Sequence, residues 1–224
     1  MRILSLCASA GLWDKAWIEA GHEVIAGCEI VDHKRLMYLG WCPSTNGFLE
    51  ANINNLSKKV KGIKFDGVIG GIPCQSRSRL RGIKTPKFGD LLPQAEAVLK
   101  ACKWDWFILE NTSALEMSPE FNCKWSKMDA MNYQEPHQSR TRFFTHSQEL
   151  NRPAELFSGS IDDLKAYPCV AGRLYGPKRG AWLQGWPEFA DLPFSCPELQ
   201  EALADGVPRG LADAWIREVE RVYG

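Results

Sequence analysis

Residues 3–29, ILSLCASAGLWDKAWIEAGHEVIAGCE, decide the fold. Ile3 to Cys7 is a short apolar run that predicts a buried strand, and Ala8-Ser9-Ala10-Gly11 is a small-residue turn. Leu12 to Ala20 has helical spacing and stops at Gly21, a residue suited to end a helix. Glu23 to Cys28 predicts a second strand, closed by Glu29. Strand, turn, helix and strand in this rhythm indicate an α/β fold with a parallel sheet and crossover helices on both faces. The same rhythm returns downstream. Phe65 to Ile69 predicts a strand running into Gly70-Gly71, Leu91 to Cys102 a helix, and Trp104 to Leu109 a strand ending at Glu110. Ligands of such sheets gather at the carboxyl ends of the strands. Three polar or small-residue features fall there: the Ser9–Gly11 turn, Gly70 to Gln75, and Glu110-Asn111.

The pattern weakens beyond Thr145. Pro153, Gly159, Pro168, Gly172, Gly176, Pro177 and Gly180 make residues 151–180 read as loops with short strands. A closing helix over about Pro208 to Tyr223 puts Leu211, Trp215, Val219 and Val222 on one face. We therefore expect a first unit at 1–145, a small loop-rich region at 146–182, and a segment at 183–224 that packs back on the first.

At 224 residues the chain is long enough for one well-buried domain, and its 45% hydrophobic and 24% charged residues suit a soluble globular enzyme. The formal net charge is zero, which argues against a protein that simply coats nucleic acid. It leaves open an enzyme whose positive charge is gathered on one face. The eight cysteines show no CxxC spacing and the four histidines complete no zinc pattern, so no metal is expected. No stretch approaches the roughly 18 apolar residues of a membrane span, and the N-terminus has no signal-peptide core. Reduced thiols in a cytoplasmic setting are the simplest expectation.

Gly70-Gly71-Ile72-Pro73-Cys74-Gln75 is the most specific chemical signal. The glycines release the strand into a turn, Pro73 fixes the backbone, and a thiol then stands on a loop at the ligand edge. Only roughly 3% of an ordinary thiol is thiolate at pH 7, so a nucleophilic cysteine needs help from its surroundings. Arg77, Arg79, Arg81, Lys84 and Lys87 follow with no acid before Asp90. That run is either a solvated loop or a lid that gathers phosphates and favours the thiolate. Glu110 follows an apolar strand, where poor solvation raises a carboxyl pKa and lets it share a proton. Gln138, Arg140 and Arg142 alternate along an apparent strand and share a face suited to phosphate or a pyrimidine carbonyl, or to surface ion pairs. The first turn and Glu29 suit a nucleotide-like cofactor, although any α/β domain has a tight turn there.

Taken in order, these pieces resemble the DNA cytosine-5 methyltransferase family. The opening SLCASAG to GCEI is similar to its cofactor-binding start, GGIPCQSRS to its Pro-Cys-Gln loop, LENTSAL to its Glu-Asn-Val segment and QSRTR to its Gln-x-Arg-x-Arg segment. LQGWPE and GVPRGLADAW resemble the last two blocks. The resemblance implies a Rossmann-like sheet, S-adenosylmethionine as cofactor, and methyl transfer to C5 of cytosine in double-stranded DNA with the base flipped out. It implies Cys74 as the nucleophile adding to C6, Glu110 engaging N3, and Arg142 and Arg140 holding the base carbonyl. It places the cofactor against Cys7, Ala8, Gly11, Leu12, Trp13, Glu29, Ile30, Asn52, Ile53, Pro73 and Val207. It places the substrate against Gln75, Arg77, Ser78, Arg79, Arg81, Asn111 and Gln138.

The sequence departs from the family at several points. Ser9 and Leu12 stand where glycines are usual, Asn52 where an aspartate is usual, Thr112 for valine, Arg77 for an aromatic residue and Asp205 for asparagine. Only about 40 residues separate Arg142 from Leu183, where the family carries a substantial target-recognition domain. Arg173, Tyr175, Lys178 and Arg179 are candidates for a reduced one. C5 methylation of a free cytidine nucleotide, and a DNA-binding subunit that depends on a partner, are the alternative readings. RNA remains open as a substrate, and a monomer is the simplest expectation.

Overall fold

A computed structural model describes residues 1–42, 48–73, 89–167 and 175–224. Five strands run parallel: β1 (Arg2–Leu6), β2 (Glu23–Cys28), β3 (Phe48–Glu50), β4 (Gly67–Gly71) and β5 (Trp106–Asn111). β6 (Cys123–Asp129) and β7 (Thr141–Ser147) complete a sheet of order β3-β2-β1-β4-β5-β7-β6, and β7 runs antiparallel to both its neighbours. Helices α1 (Leu12–Glu19), α2 (Asp32–Trp41), α3 (Ile53–Lys59) and α4 (Leu92–Ala101) make the crossovers. Then come α5 (Pro177–Leu183), α6 (Cys196–Asp205) and α7 (Arg209–Tyr223). The order reverses between β1 and β4, and a crevice opens at the carboxyl end of a parallel sheet at such a point.

Two apolar cores flank the sheet. One holds α1 and α7, with Trp17, Trp106, Phe144, Trp215 and Val219 fully buried. The other holds α3 and α4, with Leu56, Val68, Val98 and Phe107. The helix face expected of Leu211, Trp215 and Val219 is buried as the spacing required, with Val222 packed at its margin.

Several local expectations need correction. The strand expected at Phe65 to Ile69 runs Gly67–Gly71, so Gly70 and Gly71 are strand residues paired with Leu109 and Glu110. Gly70 is there for packing, since a Cβ would stand 2.8 Å from the Cβ of Leu6 on β1. Gln138 and Arg140 precede β7, which begins at Thr141; Gln138 makes only an isolated bridge to Tyr167. Residues 151–167 contain no named strand, because their backbone bonds go instead to Asn132, His137 and Ser139 and to local turns. No helix among the described residues is long and apolar enough to cross a membrane.

The turn between β1 and α1 is the tightest local structure. Cys7, Ser9 and Gly11 all have positive φ, at 50°, 51° and 80°. A Cβ on Gly11 would lie 2.7 Å from the Tyr38 ring and 2.9 Å from Cys42 Sγ. Gly11→Ala is therefore expected to destabilise the fold by about 2–4 kcal/mol, through left-handed strain plus overpacking, as read by a denaturant midpoint. Behind this turn, Asp14 is 1% exposed and accepts a 2.8 Å bond from Ser5 Oγ. Burial pushes its carboxyl up to about 6. Its folded value lies above the unfolded one, so the contribution is complete below about pH 4 and lost as pH rises through about 6. Asp14→Asn should accordingly gain on the wild type by roughly 3 kcal/mol between pH 3 and pH 8, about half of it above pH 5, in thermal melts across that range.

Candidate active site

The carboxyl ends of β1, β2, β4 and β5 surround a cavity of about 280 Å³. Glu110 closes one side of it. This residue ends the apolar run of β5, is 7% exposed, and lies 2.7 Å from Arg142 Nε on β7. Strand pairing produces the meeting, because Glu110 faces Phe144 and Asn111 faces Phe143, which leaves Arg142 at the strand's pocket end. Burial raises the Glu110 carboxyl pKa, while the Arg142 and Arg140 charges pull the other way and Asp205 adds to the rise. The net direction is upward, so the acid holds its proton further towards neutral pH than an exposed glutamate. Arg142 is steadied by donating from Nη1 to the Thr141 carbonyl at 2.8 Å.

Asn111, expected to touch substrate, also lines the cavity, but its amide is engaged with the protein. Its Nδ2 donates to the Ile72 carbonyl at 2.9 Å and its Oδ1 accepts from Ser113 N–H. Ile72 N–H donates to the Glu110 carbonyl at 3.1 Å. The end of β5 thus grips the segment leaving β4, and Pro73, the residue before Cys74, stands on the cavity wall. Cys74, Gln75, Arg77, Ser78, Arg79 and Arg81 lie outside the described residues, as do Lys84, Lys87 and Arg173.

Of the residues assigned to the cofactor, Cys7, Glu29, Ile30, Asn52, Ile53 and Pro73 line this cavity. Ala8, Leu12, Trp13 and Val207 line a second hollow of about 20 Å³ that shares Cys7, Ser9 and Asp205 with the first. Gly11 lines neither; its place is set by Tyr38. Glu29 accepts from Ser9 N–H through one oxygen and from Val31 N–H through the other, both at 2.8 Å. The carboxylate therefore holds the first turn and the exit of β2 together while a face of it remains on the cavity. Asn52 caps α3 by accepting from Asn54 N–H at 2.9 Å. The Cys7 thiol is pushed well above its usual range, first by its hydrogen bond with Cys28 and then by burial. It stays protonated.

Two of the expected substrate contacts are placed elsewhere. Arg140 is 2% exposed, and its Nη2 donates to the carbonyls of Ala204 and Gly206 at 2.6 and 2.9 Å, around the end of α6. Gln138 is fully buried, so it has no surface to offer a base. Its alternation with Arg142 in the sequence suggested a common face, but the chain is not yet in β7 there. Sequence reasoning missed Lys34 and Glu201, which line the cavity from α2 and α6. Only their charges could have signalled them, since neither belongs to a recognised motif.

Residues 1–158 match the family model described as C-5 cytosine-specific DNA methylase. The chain is 31% identical over 118 residues to Type II methyltransferase M.NgoPII of Neisseria gonorrhoeae, covering 51% of this chain and 34% of that one. It is 32% identical over 120 residues to Type II methyltransferase M.FnuDI of Fusobacterium nucleatum, covering 51% and 33%. The chain thus spans about a third of the length of the curated relatives it matches. A protein described as a DNA modification methyltransferase encoded within an E. coli prophage shares the fold, with TM-score 0.70 and 13% identity over 99% of both chains. So does the S. pombe Dnmt2 methyltransferase, at 0.68 and 10% over the whole of both. With the match running from the first turn through β7, and with Glu110 and Arg142 joined on the wall of the cavity, the chain belongs to the C-5 cytosine-specific DNA methylase family.

Proposed function

We propose that this protein transfers a methyl group to C5 of cytosine in DNA, with Cys74 as nucleophile and S-adenosylmethionine as donor. One observation carries the reading: a buried acid of raised pKa, paired with an arginine, faces the same cavity as the proline that precedes Cys74. The donor set fits the methyl donor. Its cavity joins a carboxylate, Glu29, suited to ribose hydroxyls with the apolar flanks of Ile30 and Ile53 suited to a flat base. Bound there, S-adenosylmethionine supplies an electrophilic methyl group.

The chain's own residues supply the rest. Cys74 as thiolate adds to C6, which breaks the C5–C6 double bond. Glu110 donates a proton to N3, which neutralises the negative charge the addition puts on the ring and leaves C5 with the electron pair of an enamine. Arg142 keeps the carboxyl in place and faces the base carbonyl. C5 uses that electron pair to take the methyl group, leaving S-adenosylhomocysteine. The C5 proton then passes to a water, the C5–H pair re-forms the C5–C6 double bond as the C6–sulfur bond breaks to release Cys74, and N3 returns its proton to Glu110. A base in a duplex is out of reach of this wall, so the cytosine enters flipped. Residues 1–145 form the catalytic part, 146–182 a reduced recognition region and 183–224 a return onto the first part. Within the recognition region, Arg179 stacks on Tyr167 and Trp182, at 4.7 and 4.2 Å from the ring centroids, and Lys178 is exposed beside it. This is a basic and aromatic surface of the kind that meets nucleic acid.

The test is transfer of labelled methyl groups from S-adenosylmethionine to duplex DNA, single-stranded DNA, tRNA and dCMP in parallel. Label in duplex DNA is the expected result; label in dCMP or tRNA alone would replace DNA as the substrate. With 5-fluorocytosine DNA, a covalent adduct should form and vanish in Cys74→Ala. Glu110→Gln should lower kcat by about 10²–10⁴ while leaving donor affinity nearly unchanged. Because the working form of Glu110 is protonated, wild-type kcat should fall on the alkaline side as pH rises through its elevated pKa. A flat alkaline limb would remove Glu110 from the proton's path.

A further inference from the structure

Lys34 sits in the first turn of α2 with its side chain 6% exposed, and no motif claimed it. Lysine is almost never buried without a partner. Here the ammonium lies 2.5 Å from Asp205 Oδ2 and 3.1 Å from Glu201 Oε1, both on α6. All three residues line the 280 Å³ cavity.

Asp205 needs this partner for two physical reasons. It is the last residue of α6, where the helix dipole presents its negative end, so a carboxylate is at the unfavourable terminus. Its charge also reaches across the cavity and raises the pKa of both Glu29 and Glu110. Four acids (Glu29, Glu110, Glu201 and Asp205) share the wall with Lys34 and Arg142. Arg142 is given to Glu110, which leaves Lys34 to face the α6 acids and, at longer range, Glu29. Burial alone would lower the Lys34 pKa, but Asp205 and then Glu201 more than offset this, and the ammonium stays charged.

We propose that Lys34 is a positioning residue of the methyl-donor pocket, clasping α2 to α6 and offsetting the carboxylate that this chain carries at Asp205. The inference rests on the proposed donor site. It differs from a plain packing role in one respect: the need for Lys34 should disappear when Asp205 loses its charge.

The experiment is a double-mutant cycle on donor binding, with S-adenosylmethionine titrated calorimetrically into wild type, K34Q, D205N and K34Q/D205N. The expected result is a loss of about tenfold in affinity for K34Q, a change within about threefold for D205N, and a double variant close to D205N. K34Q binding as tightly as wild type, or a double variant as weak as K34Q, would overturn the proposal. If K34Q does not fold, the double variant decides alone: affinity within about threefold of D205N supports the clasp, and a further loss of about tenfold overturns it. A wild type that binds no donor would instead overturn the functional reading of the cavity, and this clasp with it.

Discussion

The contact between Glu110 and Arg142 sets the terms for the rest of the molecule. A carboxyl at the end of a fully buried strand is costly to desolvate, and an arginine at hydrogen-bond distance is what makes that placement tolerable. The contact requires β7 to run against β5, since only then does the strand's first turn of chain arrive at the pocket edge. It also requires β4 beside β5, whose pairing brings Gly71 opposite Glu110 and hands the next residues to Asn111. The single reversed strand in an otherwise parallel neighbourhood is thus tied to this buried pair.

A second layer of bonds keeps the surrounding wall in register. Glu29 fastens the first turn to β2, and Arg140 fastens the end of α6 to the segment entering β7. Both residues look like ligand contacts in a linear sequence. In the fold both bond backbone groups around the cavity, which fixes its shape before anything enters it. A preformed wall spares the ordering entropy that a loose one would lose on binding.

How much was legible follows from this division. β1, α1, β2, α4, β5 and α7 could be read because each has a clear apolar run or stripe bounded by glycine or a polar end. α2 and α3 escaped notice: among the described side chains α2 buries only Lys34, Met37 and Tyr38, and α3 only Ile53 and Leu56. β6 was missed because one of its faces carries Lys127 and the exposed Trp125, as an edge strand's does. Glu110 and Arg142 were legible because local spacing sets them at strand ends. Lys34 and Asp205 were not paired in advance, because they stand 171 positions apart and meet only through packing. Gln138 misled for a related reason: alternation predicts a face only where the chain is a strand.

The direction of β7 has one more consequence. It starts at the cavity and ends at Ser147 at the opposite end of the sheet, so the chain must climb back to return to the cavity's end. It has done so by Phe157, whose N–H bonds to the Asn132 carbonyl just past the pocket end of β6, and by Tyr167, bonded to Ser139. The ascent uses up much of the short connection. Those bonds hold residues 156–167 against the ends of β6 and of the segment that enters β7 instead of leaving them beyond the sheet.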